Sequence, residues 1–454
     1  MLVMRTGAAA PTSIAGRSRT FLRNLELALR RLTTPAAYLV LFGGGQLAWL
    51  WSQRLHFGTW VPAGGTICFV VLLVWLRLDG RWRQKYWLLL LLTGMMTIGP
   101  MVGAIIVRTH LGLTFEYDGL AKDEVAIDRL LHGQQIYGIN WQGTQVDGYS
   151  YVFGGLETRH FDHLPLTVLA GVPIRLLTAA VGIPFDYRMV LICFVVGGIA
   201  AVSWLPATYQ VRFMVTCALM LNPALATIGV TGHDDIMYVV AVVAGLALLA
   251  RRHNVPACLA FGFSAALKPF GALAMPLALI ILYRQWKQTT IFPRRQAILC
   301  LVALAAPSIL SILPFLLWNP GAFWRDVVLF TNGGIPDAYP ISGFGLSGLL
   351  VALGIFRPSD YFPFGVFQLA ALAPLFWIAL RMLPIRPTLG RFIGFYSAAF
   401  FAFAFLARFF AHNYVATLVA LACCVLPLAG IPFQSSELAP GQLHDMPSDD
   451  LSAA

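Results

Sequence analysis

Long apolar runs alternate with short polar or basic breaks along most of this chain. A membrane-crossing helix needs about 20 mostly apolar residues. Residues 36–51, 60–76 and 86–107 form three such runs before the first long polar interruption. Others follow at 164–181, 189–205, 213–230, 236–250, 255–283, 297–318, 362–382, 391–409 and 414–433. The pattern predicts an all-α, polytopic membrane helix bundle of about 11–13 transmembrane or re-entrant helices. Lys268-Pro269 falls at the middle of 255–283, so that run is expected to be a hairpin of two short helices. Segment 341–356 is expected to be re-entrant. One of the three runs between 164 and 230 is expected not to cross fully, because three crossings would put His233 on the wrong side of Arg251.

The interruption at 109–163 is structured in its own right. Carboxylates crowd its start, at Glu116, Asp118, Asp123, Glu124 and Asp128. Residues 123–131 (DEVAIDRLL) predict a short amphipathic helix lying in the interface plane and ended by Gly133. Trp141, Tyr149, Tyr151 and Phe153 mark the rest as an aromatic, Gly-rich loop at headgroup level.

Composition agrees with this picture. The chain is 58% hydrophobic and 11% charged, against about 25% charged in soluble domains. The net charge of +11 does not point to nucleic acid. Much of it sits in short loops, at Arg77, Arg81, Arg83, Lys85, Arg251, Arg252, Arg284, Lys287, Arg294 and Arg295, as in cytoplasmic loops of membrane proteins. The same rule makes residues 1–35 a basic cytoplasmic segment without a cleavable signal, and 36–433 the membrane domain. It places 109–163 on the extracytoplasmic side of a multi-pass cell-membrane protein. The tail 434–454 holds four acidic residues and no Lys or Arg, and is expected to be disordered. Seven cysteines lack metal-ligand spacing and read as small buried hydrophobes.

Acidic and basic groups at a membrane boundary are costly to keep, which makes them candidates for chemistry. Asp118, Asp123 and Glu116 are candidate general bases; two carboxylates this close can also share a divalent cation. The bland alternative has Asp118 opening a turn and Asp123 capping the helix after it. His233, Asp234 and Asp235 start the run 236–250, where one acid suffices as a cap and a pair beside a histidine suggests a substrate-binding role. Lys268, between two half-helices, and Arg408, with His412 four residues on, are candidate phosphate ligands. Arg325, Asp326, Asp337, His160 and His163 read more simply as solvated loop residues.

These local patterns resemble the GT-C superfamily of integral-membrane glycosyltransferases, and within it the polyprenol-phosphate-mannose-dependent α-mannosyltransferases. Asp118 precedes a short helix ending Leu130-Leu131-His132-Gly133 and then Tyr137; His163-Leu164-Pro165-Leu166-Thr167, Gly232-His233-Asp234-Asp235, Lys268 and the 408–414 segment follow in the family's order. The resemblance covers roughly 86–433 and departs in having three spans, where the family usually has one, before the acidic loop. It implies an inverting hexosyltransferase that moves mannose or another sugar from a polyprenyl-phosphate donor to a hydroxyl on a lipid, glycan or protein acceptor. It implies no obligatory metal or other cofactor. A lipid-linked sugar flippase or transporter, or an oligosaccharide ligase or polymerase, would share the bilayer and the phosphate-binding cations.

Overall fold

A computed structural model describes residues 33–78, 80–112, 117–149, 159–288 and 294–433. The basic segment 1–32, the tail 434–454, Glu116 and the aromatic residues Tyr151 and Phe153 lie outside the described residues. The described chain is all-α apart from one two-residue parallel pairing. Three of its helices are long and apolar enough to cross a membrane: Trp82–Leu111, Arg294–Trp318 and Phe364–Met382. Seven further apolar helices are shorter.

The run 213–230 is not one straight helix. Tyr209–Met220 and Pro223–Thr231 meet at 46°. Pro223 cannot donate a backbone hydrogen bond, and the Asn222 side chain instead caps the new helix by accepting from Ala224 N at 3.0 Å. The run 255–283 is broken at the residue expected. Asn254–Leu267 ends at Lys268, whose backbone is extended (φ −149°, ψ 148°), and a new helix, Ala274–Lys287, follows.

At the centre stands Asp235–Ala250, whose side chains are nearly all buried. It packs against Arg188–Ser203 on one side and Asn254–Leu267 on the other, and the latter packs on Arg294–Trp318. That last approach needs Gly262: a Cβ there would fall 2.2 Å from the Leu304 carbonyl oxygen.

Two boundaries differ from the sequence pattern. The acidic helix runs Asp118–Leu131, five residues earlier than expected, so Asp118 is its first residue and Asp123 is not a cap. Its buried side includes Lys122, Asp123 and Glu124, so charge was mistaken for solvent exposure. Gly133 does end it, in the left-handed conformation (φ +69°). The second difference lies at 408–412. There the chain leaves the helix Leu389–Phe405, Phe409–Phe410 pairs with Ser342–Gly343, and a new helix begins at His412. Arg408 and His412 therefore do not share a helix face. Within 341–356 only Leu346–Ala352 is helical.

Candidate functional site

Five segments bring ionisable side chains together at one end of the bundle. The helix Asp118–Leu131 supplies Asp118, Lys122 and Asp123. The irregular segment before Pro165 supplies Asp162 and His163. His233 and Asp234 come from the turn before Asp235–Ala250, Lys268 from the break in 255–283, and His412 and Asn413 from the last helix start.

Lys122 links Asp118 (3.3 Å) and Asp162 (3.5 Å). Asp123 binds His163 Nδ1 at 2.8 Å. Lys268 bridges Asp234 at 2.5 Å and Asp235 at 3.3 Å, and Asn413 donates to the other oxygen of Asp235 at 2.8 Å. Neither aspartate side chain caps its own helix. The macrodipole still favours both, but their hydrogen bonds are spent on Lys268 and Asn413. His233 stacks on Tyr117 at 3.8 Å and meets His412 edge-on at 5.3 Å. The turn that delivers it depends on Gly232, at φ +94° and so close to Leu120 that a Cβ would fall 2.1 Å away.

Five carboxylates (Asp118, Asp123, Asp162, Asp234 and Asp235) thus surround Lys122, Lys268 and His163. Burial pushes the Asp123 carboxyl up, although His163 opposes it. Burial alone would lower His163, but Asp123 outweighs it and raises the imidazole to about 9. Burial would raise Asp162 too; Lys122 and His163 prevail and hold it below the usual carboxylate range. Asp234 is likewise lowered, with Lys268 and His163 overcoming burial. His233 is lowered to about 4 by burial and stays neutral. Its Nδ1 lies 2.9 Å from Thr231 Oγ1, whose hydroxyl is also in reach of the Ile228 carbonyl at 3.0 Å. Asp118, Asp162, Lys268 and His412 remain partly open to solvent around the buried members.

The cluster therefore contains Asp118, Asp123, His233, Asp234, Asp235, Lys268 and His412 from the sequence-derived candidates. It adds Lys122, Asp162, His163, Tyr117 and Asn413. The residues around Asp162 carried a signal, two histidines bracketing an acid directly before an apolar run, which a solvated-loop reading discounted. Arg408 is placed differently. It is buried, and its guanidinium donates to the carbonyls of Tyr339, Asp360 (2.9 Å) and Pro358 (3.4 Å). Among the described residues no three His, Cys, Asp or Glu side chains converge closely enough to hold a metal ion. A shallow apolar groove of about 560 Å³ lies elsewhere, between Gly197, Trp204 and Leu248. It contains no titratable side chain and is not part of this site.

No protein-family model, curated protein or solved structure matches the chain. The functional reading accordingly rests on the site itself.

Proposed function

We propose that this protein is a polytopic membrane glycosyltransferase, acting at the extracytoplasmic face of the cell membrane on a polyprenyl-phosphate sugar. The observation that carries the reading is the buried Asp123–His163 pair beside a lysine held by two aspartates. In the reaction, Asp123 takes the proton of an acceptor hydroxyl as its oxygen attacks the anomeric carbon. The carbon–oxygen bond to the phosphate breaks, and the polyprenyl phosphate leaves with the electron pair. A base with a raised pKa suits this step, and His163 holds the carboxylate in place. Lys268 and His412 face the departing phosphate, while His233, Asp234 and Asp235 orient sugar or acceptor. Asp118, at the partly open start of the same helix, meets the incoming acceptor. Arg408 acts through the loop whose carbonyls it binds.

Purified protein in vesicles, given polyprenyl-phosphate mannose and a hydroxyl acceptor, tests the reading through Asp123→Asn and Asp118→Asn made separately. The expected result is loss of the new glycosidic bond in Asp123→Asn. Full transfer by both variants removes the base assignment, and headgroup movement across the vesicle without a new bond makes the protein a transporter.

A further inference from the structure

A second buried charge cluster stands apart from the proposed base and phosphate ligands. His160 donates or accepts through both ring nitrogens: Nδ1 meets Asp326 at 2.8 Å and Nε2 meets Asp337 at 3.1 Å. Phe330 stacks on the ring at 4.5 Å. Asp326 is fully buried, and its other oxygen accepts from Gly138 N (2.7 Å) and Phe161 N (3.4 Å). Asp337 is a quarter exposed and has Arg325, itself mostly in solvent, at 3.8 Å. Three distant parts of the chain, 138, 160–161 and 326–337, are tied here by the Asp326 carboxylate and the His160 imidazole together. His160 is two residues from Asp162 and three from His163.

We propose that His160 is a positioning residue that works as a proton-controlled latch, docking the Asp337 loop against the segment that carries Asp162 and His163. Both ring nitrogens face carboxylates, so only imidazolium can donate to both. A neutral ring has one N–H. It keeps that proton toward Asp326, because Asp326 has no access to water, whereas Asp337 can turn to solvent and Arg325. Loss of one proton therefore frees the turn around Asp337, while Arg408 still holds the Tyr339 carbonyl and the inner bond stays intact. Burial would lower the pKa of His160, but Asp326 and Asp337 outweigh it and raise it above the ordinary 6.5. The sign follows: the latch is fully closed below the ordinary value and opens as pH rises through the raised one. Asp326, Asp337 and Arg325 are the charged groups facing the ring, and Tyr137 flanks Asp326. The latch does not depend on which reaction the site performs.

Hydrogen exchange of the full chain in nanodiscs, corrected for intrinsic rates, reads the latch directly. Between about pH 6 and about pH 9, exchange across 334–338 in the unmodified protein should rise roughly tenfold, while 159–163 changes little. Asp337→Ala, which can neither accept from nor donate to the ring, should exchange fast at every pH and show no step; His160→Gln should do the same. Asp337→Ala removes a partly exposed group, so it keeps the test available if His160→Gln fails to fold. A step that persists in Asp337→Ala, or an unmodified protein whose 334–338 turn is equally open at both ends of the range, overturns the latch.

Discussion

Asp123 and Glu124 are neighbours on one helix, both buried, and their surroundings are opposite. Glu124 is saturated. Arg108 binds both its oxygens at 2.7 Å, Tyr187 N donates at 2.9 Å and Gln145 at 3.0 Å. Arg108 continues to Asp186 (3.0 Å), which pairs with the fully buried Arg188 (2.8 Å), whose Nε donates to the Val230 carbonyl. That network clamps the acidic helix to the ends of Trp82–Leu111 and Arg188–Ser203. Among the described residues Asp123 has one side-chain partner, His163, while Asp234 and Lys268 act on it at longer range with opposite signs. A carboxylate whose lone pairs are all filled can hold a fold but has no free lone pair to offer a substrate's proton. One left partly filled can do chemistry, and its saturated neighbour keeps it in place.

Breaking the saturated half should have the largest effect. Arg108→Ala leaves Glu124 and Asp186 buried without their common partner, and such a loss costs about 3–5 kcal/mol. The expected outcome is a sharply lowered unfolding temperature in detergent, with transfer lost because little folded protein remains. An unchanged melting temperature would mean that the network does not clamp the helix. Glu124→Gln should destabilise less, since the amide keeps one acceptor for Arg108.

Asp123→Asn should give the reverse signature. Removing the proposed general base should cost about 10²- to 10⁴-fold in rate. Stability should move little, because Asn still bonds His163 and the burial penalty of a charge disappears. Asp118→Asn, at the open end of the helix, should lose far less activity. If Asp118→Asn proves the worse variant, the two carboxylates exchange roles while the contrast with Glu124 stands.

The pH dependence sharpens the same contrast. His163 is raised to about 9 by Asp123, so while Asp123 is ionised the stability that this pair contributes is complete below pH 6.5 and fades as pH passes about 9. Transfer should therefore fall on the alkaline side as His163 loses its proton. On the acid side it should fall as Asp123, raised by burial, gains one. His163→Gln should abolish the alkaline limb and keep the acid one; an unchanged alkaline limb would detach His163 from the base.

Much of the architecture was legible in the sequence, for reasons that also mark where legibility stopped. The break at Lys268-Pro269 and the stop at Gly133 are local backbone chemistry, readable from one or two residues. The cluster of Asp123, Asp234, Asp235 and Lys268 was legible because charge beside apolar runs is rarely idle. Pairing was not. His163 meets Asp123 across 40 positions and Asp326 meets His160 across 166, and no local pattern encodes such contacts. Arg408 shows the converse. Its place before His412 suggested a shared helix face, but the pairing of Phe409–Phe410 with Ser342–Gly343 interrupts the helix between them.

Asp128, one turn after Glu124, completes the comparison with the smallest expected effect. Its only ion-pair partner among the described residues is Arg175 at 2.8 Å, and the two side chains are 50% and 30% exposed. Water screens such a pair, and ordering the two side chains offsets most of the attraction, so it is worth about 0–1 kcal/mol. Asp128→Asn should leave transfer unchanged and shift the unfolding temperature by no more than its error. The pairing should weaken further in salt, since exposed charges are screened within about a Debye length. A loss approaching that of Arg108→Ala would mean that the acidic helix is held by its outer charge as well, and that burial alone does not separate the three acids.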